Sequence, residues 1–214
     1  MKYEWRKKEK EVYLPKEKAV EINVPKFKYY TVKGCGNPNG ETFKEAVGAL
    51  YAMSYGIRMM PKNGVTPEGY FEYTVYPLEG VWDLNKNGRK SFKETGSFSK
   101  NDLTYKLMIR QPDFVTEVLA KENIEKVSKK KPNDFNNLVK FEEIEEGLCV
   151  QILHKGSYDT ESSSFGLLDE FCKENNLKRL SMVHKEIYLT DPRKSEPEKQ
   201  KTVLRYCVEK SISV

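Results

Sequence analysis

Three residues at alternate positions of one apolar stretch have side chains that can do chemistry. In Met182–Leu189 (MVHKEIYL), strand alternation puts His184, Glu186 and Tyr188 on one face. Val183, Ile187 and Leu189 fall on the other, with Lys185 the exception, and that side suits packing against helices. An imidazole, a carboxylate and a phenol together supply a base for water and two groups able to pass a proton. A carboxylate also draws in a cation where the effective dielectric is below that of water. Apolar surroundings raise its pKa. The ordinary alternative is a solvated glutamate paired with a nearby lysine, and alternation alone does not separate the two.

Aromatic residues supply candidate walls. Tyr70–Tyr76 (YFEYTVY) reads as a strand with Phe71, Tyr73 and Val75 on one face and Glu72, Thr74 and Tyr76 on the other. It runs into a Pro/Gly-bounded segment holding Glu79 and Trp82. Tyr30, Tyr206 and Phe114 add further aromatic surface. Flat apolar ligands stack on such rings, and cations gain from their faces. The candidate ligand contacts are therefore Trp82, Tyr76, Glu79, Phe114, His184, Tyr206 and Tyr30. Against this, strand aromatics commonly serve as core.

Other chemistry is disfavoured. The chain has no G-x-S-x-G elbow, phosphate-binding glycine loop or H-E-x-x-H. Ser162, Ser163 and Ser164 open a predicted helix with no local histidine partner. The four cysteines, Cys35, Cys149, Cys172 and Cys207, lack C-x-x-C spacing, so no metal site is expected. Cys149, Cys172 and Cys207 read as core thiols, and Cys35 sits in a Gly-Cys-Gly turn. No cofactor is expected. The net charge of +5 lies largely in the wet runs 6–10, 126–131 and 193–201. No basic stripe falls on a recognisable motif, so no nucleic-acid partner is expected. The N-terminus has no apolar signal region and no stretch reaches the roughly 18 apolar residues of a membrane span. The expectation is a cytoplasmic protein with a small-molecule ligand, no membrane contact and an oligomeric state left open.

The elements that must position these residues come in the same order twice. Phe27–Val32 reads as a strand, Gly34–Gly36 as a turn and Thr42–Arg58 as a helix with Phe43, Val47, Leu50, Tyr51 and Ile57 on one side. Tyr70–Tyr76 and Leu103–Arg110 are the strands that follow. The second half repeats this with a strand at Leu148–His154, a turn at Lys155–Ser157 and a helix over Thr160–Asn175. The strands Met182–Leu189 and Thr202–Val208 complete it. The fold class is α+β, with two pseudo-symmetric β-α-β-β modules forming a concave ligand groove. A single domain spans 1–214, with an N-terminal extension over about 1–25 and module one over about 26–111. A connecting segment covers about 112–137, with a helix at Asp113–Val127. Module two covers about 138–210 and opens with an extra strand, Asn137–Glu143.

The strings YTVYPLEGVWDL (73–84), MIRQPDFV (108–115), EGLCVQILHKGSYD (146–159), HKEIYLTDPRK (184–194) and EKQKTVLRY (198–206) resemble the GyrI-like small-molecule-binding family, in its stand-alone subgroup. The similarity covers nearly the whole chain. It implies two modules around a groove in which a glutamate, here Glu186 of H-x-E-I-Y, meets cationic aromatic compounds. Some stand-alone members are cyclopropanoid cyclopropyl hydrolases, which add water to the cyclopropane of DNA-alkylating natural products. That likeness makes Glu186 and Tyr188 the catalytic candidates and Trp82 a ligand contact. Gly156-Ser157-Tyr158 departs from the family's Gly-Pro-Tyr, and Tyr158 is left out of the expected pocket. Too few residues precede the first strand for a helix-turn-helix unit, so a one-component regulator is not expected. The resemblance leaves three roles open: sequestering a ligand, hydrolysing it as detoxification, or binding a protein partner in the manner of a topoisomerase inhibitor.

Overall fold

The computed structural model describes residues 2–191 and 195–211. Pro192, Arg193 and Lys194, part of one family-like string, lie outside the described residues. In chain order the elements begin with two helical turns, α1 (Trp5–Lys8) and α2 (Lys10–Tyr13), and the strands β1 (Val20–Val24) and β2 (Phe27–Cys35). Then come α3 (Glu41–Arg58), β3 (Leu78–Leu84), α4 (Lys86–Thr95), β4 (Leu103–Gln111), α5 (Glu117–Lys130) and β5 (Lys140–Ile144). The rest is β6 (Gly147–Lys155), α6 (Glu161–Glu174), β7 (Leu177–Arg179), β8 (His184–Tyr188) and β9 (Lys201–Lys210). The chain forms two compact units: Tyr3 joins Phe27–Ile144 in the first, and Glu4–Lys26 joins the described residues from Glu145 onward in the second. The first runs strand-helix-strand-helix-strand through β2, α3, β3, α4 and β4, and the second follows β6 and α6 with three strands. The fold is α+β as expected, with antiparallel strands and with α4 and β7 added to the expected β-α-β-β order.

In the first unit the strands run β3-β4-β2-β5, every neighbour antiparallel. Ala46, Ala49, Leu50, Met53 and Ile57 recur at helical spacing and form the buried face of α3. The predicted stripe of Phe43, Val47 and Tyr51 flanks that face and is only half-buried. Two alanines let the helix approach the sheet, and the larger residues line the seam. Thr116 caps α5, its Oγ1 accepting from the Leu119 amide at 3.2 Å.

Tyr70–Tyr76 is not a strand. Its one pairing is an isolated parallel bridge between Tyr3 and Tyr73, and the strand that joins β4 begins at Leu78. Tyr3 accepts from the Thr74 amide and donates to the Glu72 carbonyl, while Arg58 Nε donates to the Tyr73 carbonyl at 2.5 Å. These contacts satisfy the backbone groups there without a ladder. Aromatic, β-branched composition is a strand signal, but here the rings pack on one another instead.

In the second unit β1-β6-β9-β8 are antiparallel neighbours, and β7 pairs with β9 beyond the end of β8. The core gathers Ala19, Val150, Ile152, Leu204 and Val208 under Leu168 and Cys172 of α6, with Phe165 and Phe171 packed at its margin. Register sorts the two faces. Ile152, Leu204 and Glu186 form one cross-strand row, and Gln151, Arg205 and Lys185 the next. The first row faces α6. The second meets the N-terminal turns, where Arg205 donates to the Val12 carbonyl and Gln151 to the Glu11 carbonyl. This corrects the expectation for β8: α6 lies on the Glu186 side, while the side of Ile187 faces α1 and α2.

Candidate functional site

The chemistry-bearing residues of the second unit meet where β8 runs beneath the start of α6. The 2.0 periodicity of β8 turns His184, Glu186 and Tyr188 to the same side. Glu186 is only 8% exposed. Its Oε1 lies 3.1 Å from His184 Nε2, and its Oε2 accepts from the Tyr188 hydroxyl at 2.8 Å. The three residues that alternation grouped therefore share one carboxylate. Phe165 sets its ring edge-on to His184, with centroids 4.9 Å apart. Tyr158 meets Tyr188 the same way at 6.1 Å.

Lys185, the exception on the opposite side, is buried and ion-paired. Its Nζ donates to Glu146 Oε1 at 2.8 Å, and Arg205 Nη1 donates to the same oxygen at 3.0 Å. Burial alone would lift the Glu146 carboxyl, but the two cations hold it below the usual range. Lys185 is thereby committed elsewhere, which separates Glu186 from the lysine that ordinary pairing would give it.

Two site residues escaped the sequence reading. Glu161 opens α6, is 8% exposed, and has a buried Oε1 with no hydrogen-bond partner. Burial first, then the charges of Glu186 and Asp159, push its pKa up to about 9. A carboxyl so raised keeps its proton at neutral pH, beside the Glu186 carboxylate that helps raise it. Helix N-termini commonly carry glutamates, so its position alone gave no signal. Tyr158 is 38% exposed. Burial, followed by the charges of Glu186 and Glu161, raises its phenol to about 12. The family-like string contained Tyr158, and the missing proline was the reason for setting it aside.

That turn is tied down differently. His154 Nδ1 lies 2.9 Å from Ser164 Oγ, and its Nε2 lies 3.1 Å from the Ser157 carbonyl and 3.2 Å from Thr160 Oγ1. Gly156 makes the bend at φ +135°, where a Cβ would crowd Thr160 Oγ1. Ser164 thus has a histidine partner after all, brought in from β6 by the fold. Both side chains are buried, and the pair fixes the segment that presents Tyr158 and Glu161.

Tyr206, also a predicted contact, is buried in the core of this unit. Its hydroxyl donates to Asp169 Oδ1 at 2.7 Å, and Arg179 lies 4.0 Å above its ring.

The remaining predicted residues belong to the first unit. Tyr30 is fully buried, its hydroxyl donating to the Ala120 carbonyl at 3.2 Å and accepting from Asn123 Nδ2 at 3.1 Å. Trp82 is buried, stacked on Phe43 at 5.8 Å and edge-on to Tyr105 at 5.5 Å. Glu79 is buried opposite Met108. Tyr76 lies 4.6 Å below the Arg110 guanidinium. Phe114 joins a ring cluster with Tyr70, Phe71 and Tyr73 at 5.3 to 6.1 Å. Among the described residues no group of three or more metal-ligating side chains is present, and no helix is long and apolar enough to cross a membrane.

Two α+β units, each with a strand-helix-strand core and the second with a buried carboxylate set among rings, fit the class of α+β small-molecule-binding domains. The GyrI-like small molecule binding domain matches residues 19–208, and the chain belongs to that family. It is similar to a hydrolase of Listeria innocua at 35% identity and a TM-score of 0.86, over 97% of this chain and 100% of the other. A conserved protein of the same organism, itself uncharacterised, gives 37% identity and a TM-score of 0.87 over 97% and 100%. The C-terminal domain of EcmrR shares the fold at 14% identity, with a TM-score of 0.54 over 90% and 98%. No curated protein matches the chain.

Proposed function

We propose that the chain binds flat, cationic aromatic compounds at Glu186. One observation carries this reading: a nearly buried carboxylate is held from two sides by His184 and Tyr188, with no lysine or arginine hydrogen-bonded to it among the described residues. Such a carboxylate can attract a cationic ligand, and the adjoining Tyr158, Tyr188 and Phe165 rings offer faces and edges to a flat one. The test is a fluorescence-anisotropy titration with rhodamine 6G, a flat cation, and with a neutral dye of similar size. Binding of the cation should weaken about tenfold in Glu186→Gln, or ~1.4 kcal/mol. Equal affinity in the variant would overturn the role of Glu186.

A second reading extends the first: the same site adds water to the cyclopropane of a DNA-alkylating compound. The coupling of Glu186 to the protonated Glu161 favours it, because one carboxyl then serves as base and the other holds a proton. Similarity to a Listeria protein described as a hydrolase points the same way. Glu186 takes a proton from water as its oxygen attacks a ring carbon. The strained carbon–carbon bond breaks, and its electrons pass into the ligand's conjugated carbonyl. Tyr188 orients the base, and Glu161 returns a proton to the ligand oxygen. Mass spectrometry of a cyclopropane-bearing alkylator incubated with the protein should show the water adduct. Tight binding without an adduct leaves sequestration alone.

A further inference from the structure

Two thiols outside the site face each other on the opposite side of the strands of the second unit. Cys149 of β6 and Cys207 of β9 are direct cross-strand partners. Their sulfurs are 3.6 Å apart, with Cys149 donating to Cys207. Both thiols also point at the Glu146 carbonyl, at 3.9 and 3.6 Å. They share the face of Gln151, Arg205 and Lys185, so nothing in the ligand reading enters here. Antiparallel partners have Cα atoms about 4.5 or 5.5 Å apart, and both spacings fall within the range a disulfide spans. A bond requires the sulfurs to close to about 2.0 Å, a movement that side-chain torsions supply without shifting the strands.

We infer that Cys149 and Cys207 form a dithiol modification site that oxidises to an intramolecular cross-strand disulfide. Cys207 is the partly exposed member and the attacking thiol, and Cys149 is the buried resolving one. The hydrogen bond from Cys149 lowers the Cys207 thiol to about 7 against burial and the Glu146 charge, with Lys185 and Arg205 assisting. The oxidant is a hydroperoxide. The Cys207 thiolate attacks one peroxide oxygen, the O–O bond breaks, and the leaving hydroxide takes a proton to become water. Cys207 is then a sulfenic acid. The Cys149 sulfur attacks it, the S–O bond breaks, and the departing hydroxide leaves with the Cys149 proton as a second water. Two thiols and one hydrogen peroxide give one disulfide and two waters.

The test treats the full chain with hydrogen peroxide, blocks free thiols with N-ethylmaleimide and maps peptides without reduction. The expected result is the loss of two hydrogens per chain in a Cys149–Cys207 cross-link, reversed by dithiothreitol and retained in Cys35→Ser. The chain unfolded in urea should pair its four cysteines without this preference. Cys149→Ser should strand Cys207 as a sulfenic acid that dimedone traps, and Cys207→Ser should leave Cys149 unlabelled. Over-oxidation of Cys207 without a cross-link, or the same pairing pattern in urea, would overturn the inference. Dimedone labelling of Cys149 in Cys207→Ser would overturn the assigned order of attack.

Discussion

The Tyr188 hydroxyl donates to Glu186 Oε2 at 2.8 Å, and the two residues stand two apart on the same face of β8. A buried carboxylate depends on such donors, because water no longer solvates it. Tyr188→Phe removes one donor and leaves the charge in place. The variant should lose about 1–2 kcal/mol of stability in urea unfolding. Its affinity for rhodamine 6G should fall less than that of Glu186→Gln, which removes the charge itself. Equal losses in the two variants would mean that the hydroxyl, not the charge, meets the ligand.

Glu161 makes stability depend on pH in an unusual direction. Its carboxyl titrates near 4.5 when unperturbed and at about 9 in the fold. Between those values the folded chain holds a proton that the unfolded chain has released, so this group's contribution declines as pH rises through the window. It is fully present below about 4.5 and lost above about 9. Glu161→Gln keeps the neutral form at every pH and should flatten that decline, giving a variant more stable than the parent at pH 8. Urea unfolding of both proteins from pH 5 to 9 measures it. Parallel curves would show that Glu161 is ionised in the fold.

The grouping of His184, Glu186 and Tyr188 was legible because β alternation is a local rule and all three lie within five residues. Which side α6 covers was not, since that follows from the register of β6, β9 and β8 together. Glu161 and the His154–Ser164 contact depend on the packing of α6, which no local pattern encodes. In the second half β6, β8 and β9 were visible as apolar runs, whereas the three residues of β7 (LKR) form none. By contrast α4 (KNGRKSFKET) buries only Gly88 and has no apolar stripe to betray it. Tyr70–Tyr76 misled because a ring-rich segment can satisfy its backbone through Arg58 and Tyr3 as well as through a ladder.

His154 tests whether the turn matters to the site. Its imidazole reaches Ser164 on one side and the Ser157 carbonyl on the other, with Tyr158 next in sequence. His154→Ala leaves Ser164 Oγ and the Ser157 carbonyl without this partner, at a cost of about 1–3 kcal/mol. Amide hydrogen exchange should quicken over 156–161, and rhodamine 6G affinity should drop although His154 meets no ligand. Unchanged exchange there, alongside weaker binding, would assign His154 a direct contact.

Glu146 anchors the face opposite Glu186. Its Oε1 receives both Lys185 and Arg205, and each cation is almost wholly buried. Glu146→Gln leaves two buried positive charges against a neutral amide, and removing one partner of such a pair typically costs about 3–5 kcal/mol. The folded carboxyl titrates below its unfolded value. Its contribution is therefore present above the unfolded pKa and disappears as pH falls through the folded one. The parent should lose stability on that acid limb, and Glu146→Gln should lack this part of the loss. Lys185→Met, which keeps the Arg205 pairing and supplies an apolar side chain of similar length, should cost less than Glu146→Gln. Urea unfolding of the three proteins at pH 7 and pH 4 decides it, and equal stability of Glu146→Gln and the parent at pH 7 would show that the two cations need no anion there.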